Sequence, residues 1–288
     1  MTRMPDGESH TFLPSFVIVG AMKAGTTSLW TSLRSHPDVF MPDEKELDFF
    51  VAEKRWGWGL DWYAQRFAPG ASAGARGEAS TNYSKYPLFA GVPERMASVI
   101  PDARIVYVVR DPIERMRAHY LHAFAEGWER RPMDRAVLED PQYLDVSRYA
   151  TQVERYLAVF ERSQVLVATA ENLRVDHAGT VSRILSFIGV DPAWKPPRVE
   201  GAIHATADKV ARSRAARFVA RIPGSEVFSR LVPPPVRRAW GRHTTIALDR
   251  EHWPVPDAVR IRVHAALRPE VERLRDFLDH DWDGWGIA

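Results

Sequence analysis

The sequence predicts a three-layer α/β fold, in which a central and mainly parallel sheet is flanked by helices. Short apolar, β-branched segments that suit strands covered on both faces lie at residues 16–19 and 105–109, with further candidates at 39–41 and 164–168. The first two of these segments end in a polar turn that leads into a helical pattern, as expected of strand–helix units.

Residues 15–288 are expected to form one domain after a flexible lead-in at residues 1–14. The chain has 288 residues, enough for one large domain or two small ones, but no internal repeat or long linker divides it. The polar segment 126–145, which two prolines interrupt, is expected to be mobile and to lie on the substrate side. Residues 196–245 are expected to form a lid.

The composition limits the classes of protein to consider. Hydrophobic residues make up 45% of the chain, and the net charge is only +2, so anion binding has to come from local clusters. The absence of cysteine excludes disulfides, thiolate nucleophiles and cysteine metal sites, and it suits a reducing compartment. No signal peptide and no apolar run of ~20 residues is present. A cytoplasmic protein without a membrane span is therefore expected, and the excess of arginine over lysine indicates a bacterial source.

The segment FVIVGAMKAGTTSLW at residues 16–30 predicts an anion site. It combines a strand, a loop bounded by Gly20 and Gly25, and the first turns of a helix. Such a loop directs backbone N–H groups and the positive end of a helix dipole at one point, which suits phosphate. Lys23 adds a positive charge within the loop. An ordinary strand-to-helix turn is the alternative interpretation. Further hydrogen-bond donors are the hydroxyls of Thr26, Thr27 and Ser28.

The spacing of the glycines equals that of the nucleotide P-loop, G-x-x-x-x-G-K-[ST], and it predicts a P-loop-like arrangement. However, Thr26 stands where the P-loop lysine belongs, and Lys23 lies in the middle of the loop. The strand at 105–109 ends in arginine rather than in a magnesium-binding aspartate. A P-loop kinase or NTPase is the alternative function. Such an enzyme would lack both the lysine at its usual P-loop position and the magnesium-binding aspartate.

A second anion-binding motif is predicted where the strand 105–109 ends, at Arg110-Asp111-Pro112. The proline is suited to begin a helix, and ligands bind at the carboxyl ends of strands in open α/β sheets. The forked guanidinium of Arg110 matches a phosphate dianion. A salt bridge at the start of the helix is the alternative interpretation for this arginine.

In combination, the Lys23 loop and the Arg110 turn resemble the motifs of sulfotransferases that use 3′-phosphoadenosine 5′-phosphosulfate (PAPS). The sequence looks most like the branch that contains heparan sulfate sulfotransferases and their bacterial relatives, from about residue 16 to residue 285. The resemblance implies that Arg110 binds the 3′-phosphate. Since Ala118 replaces the serine of that motif, its hydrogen bond is lost or is supplied by a neighbour such as His119. The implied ligands of the 5′-phosphate are Ala24, Gly25, Thr26, Thr27 and Ser28.

The resemblance also implies the catalytic residues. Lys23 would neutralise the charge that develops on the bridging oxygen of the leaving 3′,5′-diphosphate. Glu46 matches the catalytic base, and Phe49 and Phe50 are expected to bury its surroundings and raise its proton affinity. The implied reaction is an in-line transfer of a sulfuryl group from PAPS to a hydroxyl or amine of a small-molecule or carbohydrate acceptor, with no metal ion.

Candidate acceptor residues follow the proposed base. Trp56, Trp62 and Tyr63 predict either core packing or the lining of an acceptor pocket, since flat rings suit sugars and aromatic compounds. Glu78 and Ser80 belong to a segment that resembles the family pattern Glu-Lys-(Ser/Thr)-Pro-x-Tyr, so they are expected to border the site. The lysine that some members use in this pattern is replaced by Ala79.

Two further cofactor-binding residues are implied by the resemblance. Tyr149 lies in the helix that contacts the cofactor in the family, and Arg242 is the nearest match to a loop that closes over the 3′-phosphate region. Arg242 ends a segment, 209–242, with nine basic residues and one acidic residue. This segment is interpreted as lid surface, with an acceptor site or a solvated helix as alternatives.

Other partners are not indicated by the sequence. No groove-reading motif accompanies the basic segment, so no nucleic-acid partner is expected. His119 and His122 lie three residues apart, but no supporting ligand stands at a suitable spacing, so no metal site is expected. Nothing in the sequence indicates an oligomeric state. A nucleotide-binding protein that kept the fold and lost the chemistry is the non-catalytic alternative, which the presence of both Lys23 and Glu46 disfavours.

Overall fold

A five-stranded parallel sheet forms the centre of the protein. The structure, a computed structural model, describes residues 12–195, 210–212, 245–247, 253–278 and 282–287. The strands lie in the order β2-β3-β1-β4-β5. Their bounds are β1 (Phe16–Gly20), β2 (Val39–Phe40), β3 (Ala75–Ala79), β4 (Arg104–Val109) and β5 (Val165–Thr169).

The register aligns the carboxyl ends of the three central strands. Strand β1 pairs with β3 through Phe16–Gly77 and Ile18–Ala79, and with β4 through Phe16–Arg104 and Ile18–Val106. All five residues of β1 are buried, which is the pattern of a strand covered on both faces. After β1 the chain first builds one side of the sheet and then crosses to the other. This change of direction beside β1 is the position at which open α/β sheets bind ligands.

Helices cover the sheet. Helices α1 and α9 contact each other and the strands, and α7 contacts both β5 and the last helix, α10. The helix bounds are α1 (Thr26–Arg34), α2 (Leu60–Gln65), α3 (Val92–Val99), α4 (Pro112–Glu126), α5 (Met133–Glu139), α6 (Pro141–Asp145), α7 (Tyr149–Leu157), α8 (Ala170–Val175), α9 (His177–Ile188) and α10 (Asp257–Leu274). This architecture confirms the predicted three-layer α/β fold.

Two apolar clusters stabilise this arrangement. The larger cluster contains the strands together with residues such as Leu29 and Leu33 of α1 and Leu185 of α9. The smaller cluster joins α4, α5 and α10, for example through Met116 and Leu267. Because α4 begins directly after β4, the second cluster fixes this helix from the side that faces away from the sheet.

Strand β3 was not predicted, and the segment 126–145, which was expected to be broken by its prolines, contains two short helices. The sequence of β3, ARGEA, carries no apolar run, so only its pairing with β1 and β2 makes it a strand. Within 126–145, the prolines begin or precede the short helices α5 and α6 rather than breaking order, and α5 contributes Ala136 and Val137 to the smaller cluster.

Little of the expected lid lies within the described residues. Of residues 196–245, the structure describes 210–212 and residue 245, and these belong to a two-stranded antiparallel ribbon of β6 (Val210–Arg212) and β7 (Thr245–Ala247). Among the helices of the described ranges, none combines the length and the apolar character that crossing a membrane requires.

Candidate active site

The loop between β1 and α1 forms a cradle with open backbone donors. Lys23 and Gly25 have positive φ angles of 69° and 90°, so the chain turns sharply before α1. Gly25 is the N-cap residue, no side chain caps the helix, and its first turn contains no acidic residue. The first backbone N–H groups of a helix lack intrahelical partners, and here they remain available to an anion.

The side chains of the loop residues differ in accessibility. Ala24 and Thr26 are buried and contribute mainly through their backbones, whereas Thr27 is exposed and Ser28 is partly exposed. Lys23 is partly exposed. The structure therefore places the lysine and two hydroxyls around the N-terminus of α1, and their contact with a phosphate stays a prediction.

Arg110 connects the second motif directly to this loop. Its Nη1 donates a hydrogen bond to the carbonyl oxygen of Lys23 at 3.0 Å, across the carboxyl ends of β4 and β1. Its Nη2 lies 3.8 Å from Oε2 of Glu114, so the alternative interpretation of a salt bridge at the helix start is also present, but as a long contact. One guanidinium thus lies between the loop and helix α4.

Tyr149 supports Arg110 from the protein interior. Its ring is buried, and its hydroxyl donates a hydrogen bond of 2.7 Å to the carbonyl oxygen of Arg110. This is a correction to the expected direct contact with a cofactor, because the hydroxyl is already used and the ring has almost no accessible surface. In this structure Tyr149 positions Arg110.

Glu46 lies at the same edge of the sheet, beyond the end of β3. Its backbone N–H donates to the carbonyl of Ala79 at 2.9 Å. Its Oε2 accepts hydrogen bonds from the backbone N and the hydroxyl of Thr81 at 2.6 Å and 3.2 Å. Oε1 pairs with Lys45, and 34% of the Glu46 side chain remains exposed. The carboxylate is therefore held in place without being enclosed.

The expected burial of Glu46 by its neighbouring phenylalanines does not occur. Phe49 and Phe50 are core residues, and the Phe49 ring stacks on Tyr63 at 4.3 Å. Since both rings are directed into the core, Glu46 retains its contact with solvent. Thr81, which the sequence did not single out, is the residue that orients the carboxylate.

Tyr63, Glu78 and Ser80 lie in the core, which corrects the expectation that they contact an acceptor. Oε1 of Glu78 accepts hydrogen bonds from the hydroxyls of Tyr63 and Tyr83 at 2.5 Å and 2.9 Å. Oε2 of Glu78 accepts from Ser80 at 2.7 Å, and Ser80 in turn accepts from the backbone N of Asp48 at 3.1 Å. These buried side chains fix the segment that carries the proposed base.

Burial raises the pKa of Glu78 to about 7, although the hydrogen bonds from Tyr63, Ser80 and Tyr83 act in the opposite direction. The larger effect is desolvation, since no cation in the described part of the chain pairs with this carboxyl group. Ala79, the neighbouring residue in β3, is also buried and supplies no charge.

Trp56 and Trp62 are partly buried and remain candidates for an acceptor surface. Trp56 packs 5.3 Å from Phe49 at the edge of the core. The Trp62 ring has the guanidinium groups of Arg55 and Arg66 over it, at 5.3 Å and 4.7 Å. Their role in binding an acceptor stays a prediction.

Helix α4 contributes two buried side chains, Arg115 and His119, near the carboxyl edge of the sheet. Arg115 is fully buried, and it donates to Ser147 Oγ at 2.7 Å and to the Tyr143 carbonyl at 2.6 Å, which leaves Nη1 without a partner among the described residues. Nδ1 of His119 is also buried without a partner in the described part of the chain. Burial lowers the pKa of His119 to about 2, and the charge of Arg115 acts in the same direction. The ring is therefore neutral.

These buried donors fit a phosphate-bearing ligand, because an unpaired buried polar group is costly unless a ligand satisfies it. The sequence analysis considered His119 as a substitute donor and as half of a histidine pair, and it assigned no role to Arg115. The available signal was an arginine among residues such as Ile113 and Met116 that face the core. Arg242 lies outside the described residues. Within those ranges, no group of three His, Asp or Glu side chains is arranged to hold a metal ion.

The fold and the site together define an α/β protein that binds an anion at the carboxyl edge of a parallel sheet. Residues 13–222 match the family model of the sulfotransferase domain, and the chain belongs to this family. The predicted family and the preference for a sulfotransferase over a kinase or NTPase are confirmed at this level.

Relatives with known names agree with this family. Mouse bifunctional heparan sulfate N-deacetylase/N-sulfotransferase 4 is 30% identical over 209 residues, which cover 63% of this chain and 23% of that protein. Human bifunctional heparan sulfate N-deacetylase/N-sulfotransferase 3 is 29% identical over 204 residues, with the same shares of 63% and 23%. The chain thus spans about a quarter of the length of the curated relatives it matches.

A solved structure agrees over nearly the whole chain. The crystal structure of a sulfotransferase from Alicyclobacillus acidocaldarius is 26% identical and superposes with a TM-score of 0.68. The superposition covers 95% of this chain and 98% of that one.

Proposed function

We propose that this protein transfers a sulfuryl group from PAPS to a hydroxyl or amine of a carbohydrate or small-molecule acceptor. The observation that carries the proposal is the 3.0 Å hydrogen bond from Arg110 Nη1 to the Lys23 carbonyl. It brings the two phosphate-binding motifs together at one edge of the sheet, where Glu46 is also fixed through Ala79 and Thr81.

The residues present fit a nucleotide with two separated phosphates. The uncapped N-terminus of α1, with Thr26, Thr27 and Ser28, holds the 5′-phosphate. Arg110 binds the 3′-phosphate, and His119 replaces the donor that Ala118 lacks, since its Nδ1 is buried without a partner among the described residues. Arg242 remains part of the proposal as a further ligand of the 3′-phosphate.

The reaction needs a base and a cation on opposite sides of the sulfur. Glu46 takes the proton of the acceptor hydroxyl or amine while the new bond to sulfur forms. Lys23 stabilises the electron pair that remains on the bridging oxygen when the bond from sulfur to that oxygen breaks. Thr81 contributes by holding Glu46 in one orientation, which lowers the entropic cost of alignment.

The acceptor class follows from accessible aromatic surface and from the relatives. Trp62 and Trp56 present partly exposed rings close to the segment that carries Glu46. The relatives are named for N-sulfation of heparan sulfate, so an amino or hydroxyl group of a carbohydrate is the first acceptor to test. A cytoplasmic location in a bacterial cell is part of the same proposal.

A thermal-shift titration tests the nucleotide site. At ~100 times its dissociation constant, 3′,5′-diphosphoadenosine is expected to stabilise the protein by about 2.7 kcal/mol, whereas ATP with Mg²⁺ is expected to have little effect. Arg110→Ala should remove most of this stabilisation, and Arg135→Ala, which changes an exposed arginine of α5, should not.

Two outcomes would contradict the proposal. Stabilisation by ATP and Mg²⁺ alone would favour phosphoryl transfer. Binding of the 3′-phosphorylated nucleotide without turnover of PAPS, over a panel of amino sugars, hydroxylated sugars and phenols, would indicate a protein that kept the fold and lost the chemistry.

A further inference from the structure

Lys85 is a buried lysine at the carboxyl edge of the sheet, and its ammonium has no partner among the residues that the structure describes. Of the lysines in the described ranges it is the one whose side chain is buried, with 9% exposure. It follows a 3₁₀ turn, Thr81–Ser84, that continues directly from the end of β3. Its ammonium forms no hydrogen bond or salt bridge with any residue in the described part of the chain. The desolvation cost of such an ammonium is offset only in part, by the attraction of nearby carboxylates with which it forms no hydrogen bond.

The carboxylates near Lys85 already have other partners. The charges that act on Lys85 are those of Glu46 and Asp48, which attract it, and of Lys54 and Arg115, which repel it. Glu46 pairs with Lys45, and Asp48 pairs with Lys54. Lys85 is therefore a cation beside two acids that already pair with other lysines, and no third anion among the described residues pairs with it.

Lys85 belongs to the same short segment of the chain as a residue that binds the proposed base. Thr81, which binds the Glu46 carboxylate, opens the turn that Lys85 follows, so the base and the lysine are held by one short segment. On the other side, the charges of Lys85 and Lys23 both act on His119 of α4. Lys85 thus follows directly on the segment that holds the proposed base, and its charge and that of Lys23 reach the same histidine.

Burial lowers the pKa of Lys85 to about 8, and the attraction of Glu46 is the largest opposing effect. A lysine that titrates close to neutral pH in a ligand site is typical of functional groups. An anionic ligand would pair with the ammonium and favour its charged form.

We propose that Lys85 is a catalytic residue whose ammonium donates a hydrogen bond to an oxygen of the sulfuryl group while that group is transferred. This inference rests on the proposed function. It adds Lys85 to Lys23 as a second cation, and Lys85 acts on an oxygen bound to sulfur rather than on a phosphate. In the transfer, the acceptor proton goes to Glu46, the new bond to sulfur forms, and the old bond to the bridging oxygen breaks with its electron pair left on that oxygen. Lys85 keeps its proton throughout and stabilises the negative charge on the oxygens of sulfur.

The test compares two nucleotides that differ by the sulfuryl group. Calorimetric titrations of PAPS and of 3′,5′-diphosphoadenosine are made at pH 7, in buffer without sulfate or phosphate, on the wild type, Lys85→Met, Lys85→Arg and the control Lys195→Met. Lys195 is an exposed lysine, so this control removes the same charge elsewhere. Lys85→Met is expected to lower the ratio of PAPS affinity to diphosphate affinity at least tenfold. In Lys85→Arg the ratio of PAPS affinity to diphosphate affinity should stay close to that of the wild type, and in Lys195→Met it should be unchanged.

The outcomes separate this inference from the proposed function. Wild-type protein that binds neither nucleotide would overturn both. Normal binding of both nucleotides by the wild type, with an unchanged ratio in Lys85→Met, would overturn only the role of Lys85. An equal loss of affinity for both nucleotides would overturn it too, because Lys85 would then act on a phosphate.

Stability and turnover give a second readout. Removal of a buried and unpaired charge is expected to leave the melting temperature of Lys85→Met unchanged or higher. With any acceptor that the wild type sulfates, kcat of this variant should fall about 100-fold or more, with a nearly unchanged KM for the acceptor. A raised acceptor KM with an unchanged kcat would contradict a contact with the sulfuryl group.

Discussion

Glu46 meets two conditions that a general base needs, a fixed orientation and an accessible carboxylate. Thr81 fixes the orientation at 2.6 Å, and about a third of the side chain, 34%, remains exposed. Because the surrounding phenylalanines are directed into the core, the carboxylate stays open to solvent. Its orientation and its access to solvent are thus both present in the structure.

Glu46→Gln should separate chemistry from binding. The amide keeps the shape and can still accept a hydrogen bond from Thr81, but it cannot take a proton, so kcat is expected to fall by 10²–10⁴. The affinity for 3′,5′-diphosphoadenosine should change less than threefold. Steady-state kinetics and calorimetry measure the two effects. The matched control is Glu44→Gln, an exposed acid that pairs with Arg55. A kcat for Glu46→Gln within tenfold of the control would exclude Glu46 as the base.

At the scale of elements, α7 and β4 meet through the hydrogen bond from the Tyr149 hydroxyl to the Arg110 carbonyl, at 2.7 Å. This contact joins a helix on one side of the sheet edge to the residue that reaches the β1–α1 loop. If Tyr149 acts only by holding Arg110, its effect on ligand binding must depend on that arginine.

Tyr149→Phe should lower the free energy of unfolding by about 1–3 kcal/mol, because a buried carbonyl loses its donor. Its effect on the binding of 3′,5′-diphosphoadenosine should disappear in the Arg110→Ala background. A double-mutant cycle with denaturant unfolding and calorimetry measures both quantities. Additive losses of affinity would instead show that Tyr149 contacts the ligand itself.

The sequence predicted those strands and turns whose own residues carry a recognisable local pattern. Strands β1, β4 and β5 are apolar and β-branched, and the turns after β1 and β4 contain the glycines, lysine and arginine of the site. By contrast, β3 is a strand only because its neighbours pair with it, and its sequence ARGEA has no strand pattern. The sequence also contained no sign that the side chains of this strand are buried. Glu78 and Ser80 were therefore expected at the site, whereas they hydrogen-bond to each other inside the core.

At the scale of the whole molecule, two buried groups among the described residues, Glu78 and His119, shift its stability in opposite directions with pH. The pKa of Glu78 is raised to about 7 in the folded protein. The folded state therefore binds this proton more tightly than the unfolded state, and stability falls as the pH rises from about 4.5 to about 7. The pKa of His119 is lowered to about 2. The unfolded state binds this proton more tightly, so stability falls as the pH drops below about 6.5.

Because the two pH ranges overlap between about 4.5 and 6.5, the wild type should show a flatter stability profile there than either group alone would give. In Glu78→Gln only His119 still acts, so the melting temperature of this variant should rise with pH across this range. In His119→Asn only Glu78 still acts, so the melting temperature should fall as the pH rises. Melting temperatures from pH 4.5 to 7.5 measure the slopes, with Glu44→Gln as the control. Parallel profiles for all four proteins would contradict both assignments.

The hydrogen bond between Arg110 and the Lys23 carbonyl has a consequence for how the protein distinguishes nucleotides. The same guanidinium that is proposed to bind the 3′-phosphate also holds the backbone of the loop proposed to bind the 5′-phosphate. On the proposed function, a rearrangement of Arg110 around the 3′-phosphate would move the backbone of the loop that binds the 5′-phosphate, so the two affinities would be coupled, and the coupling would be reciprocal. Adenosine 5′-phosphosulfate, which lacks the 3′-phosphate, would thus lose more than one contact. Its 5′-phosphate would bind to a loop positioned for a different ligand, and one arginine would disfavour a sulfuryl donor that lacks the 3′-phosphate.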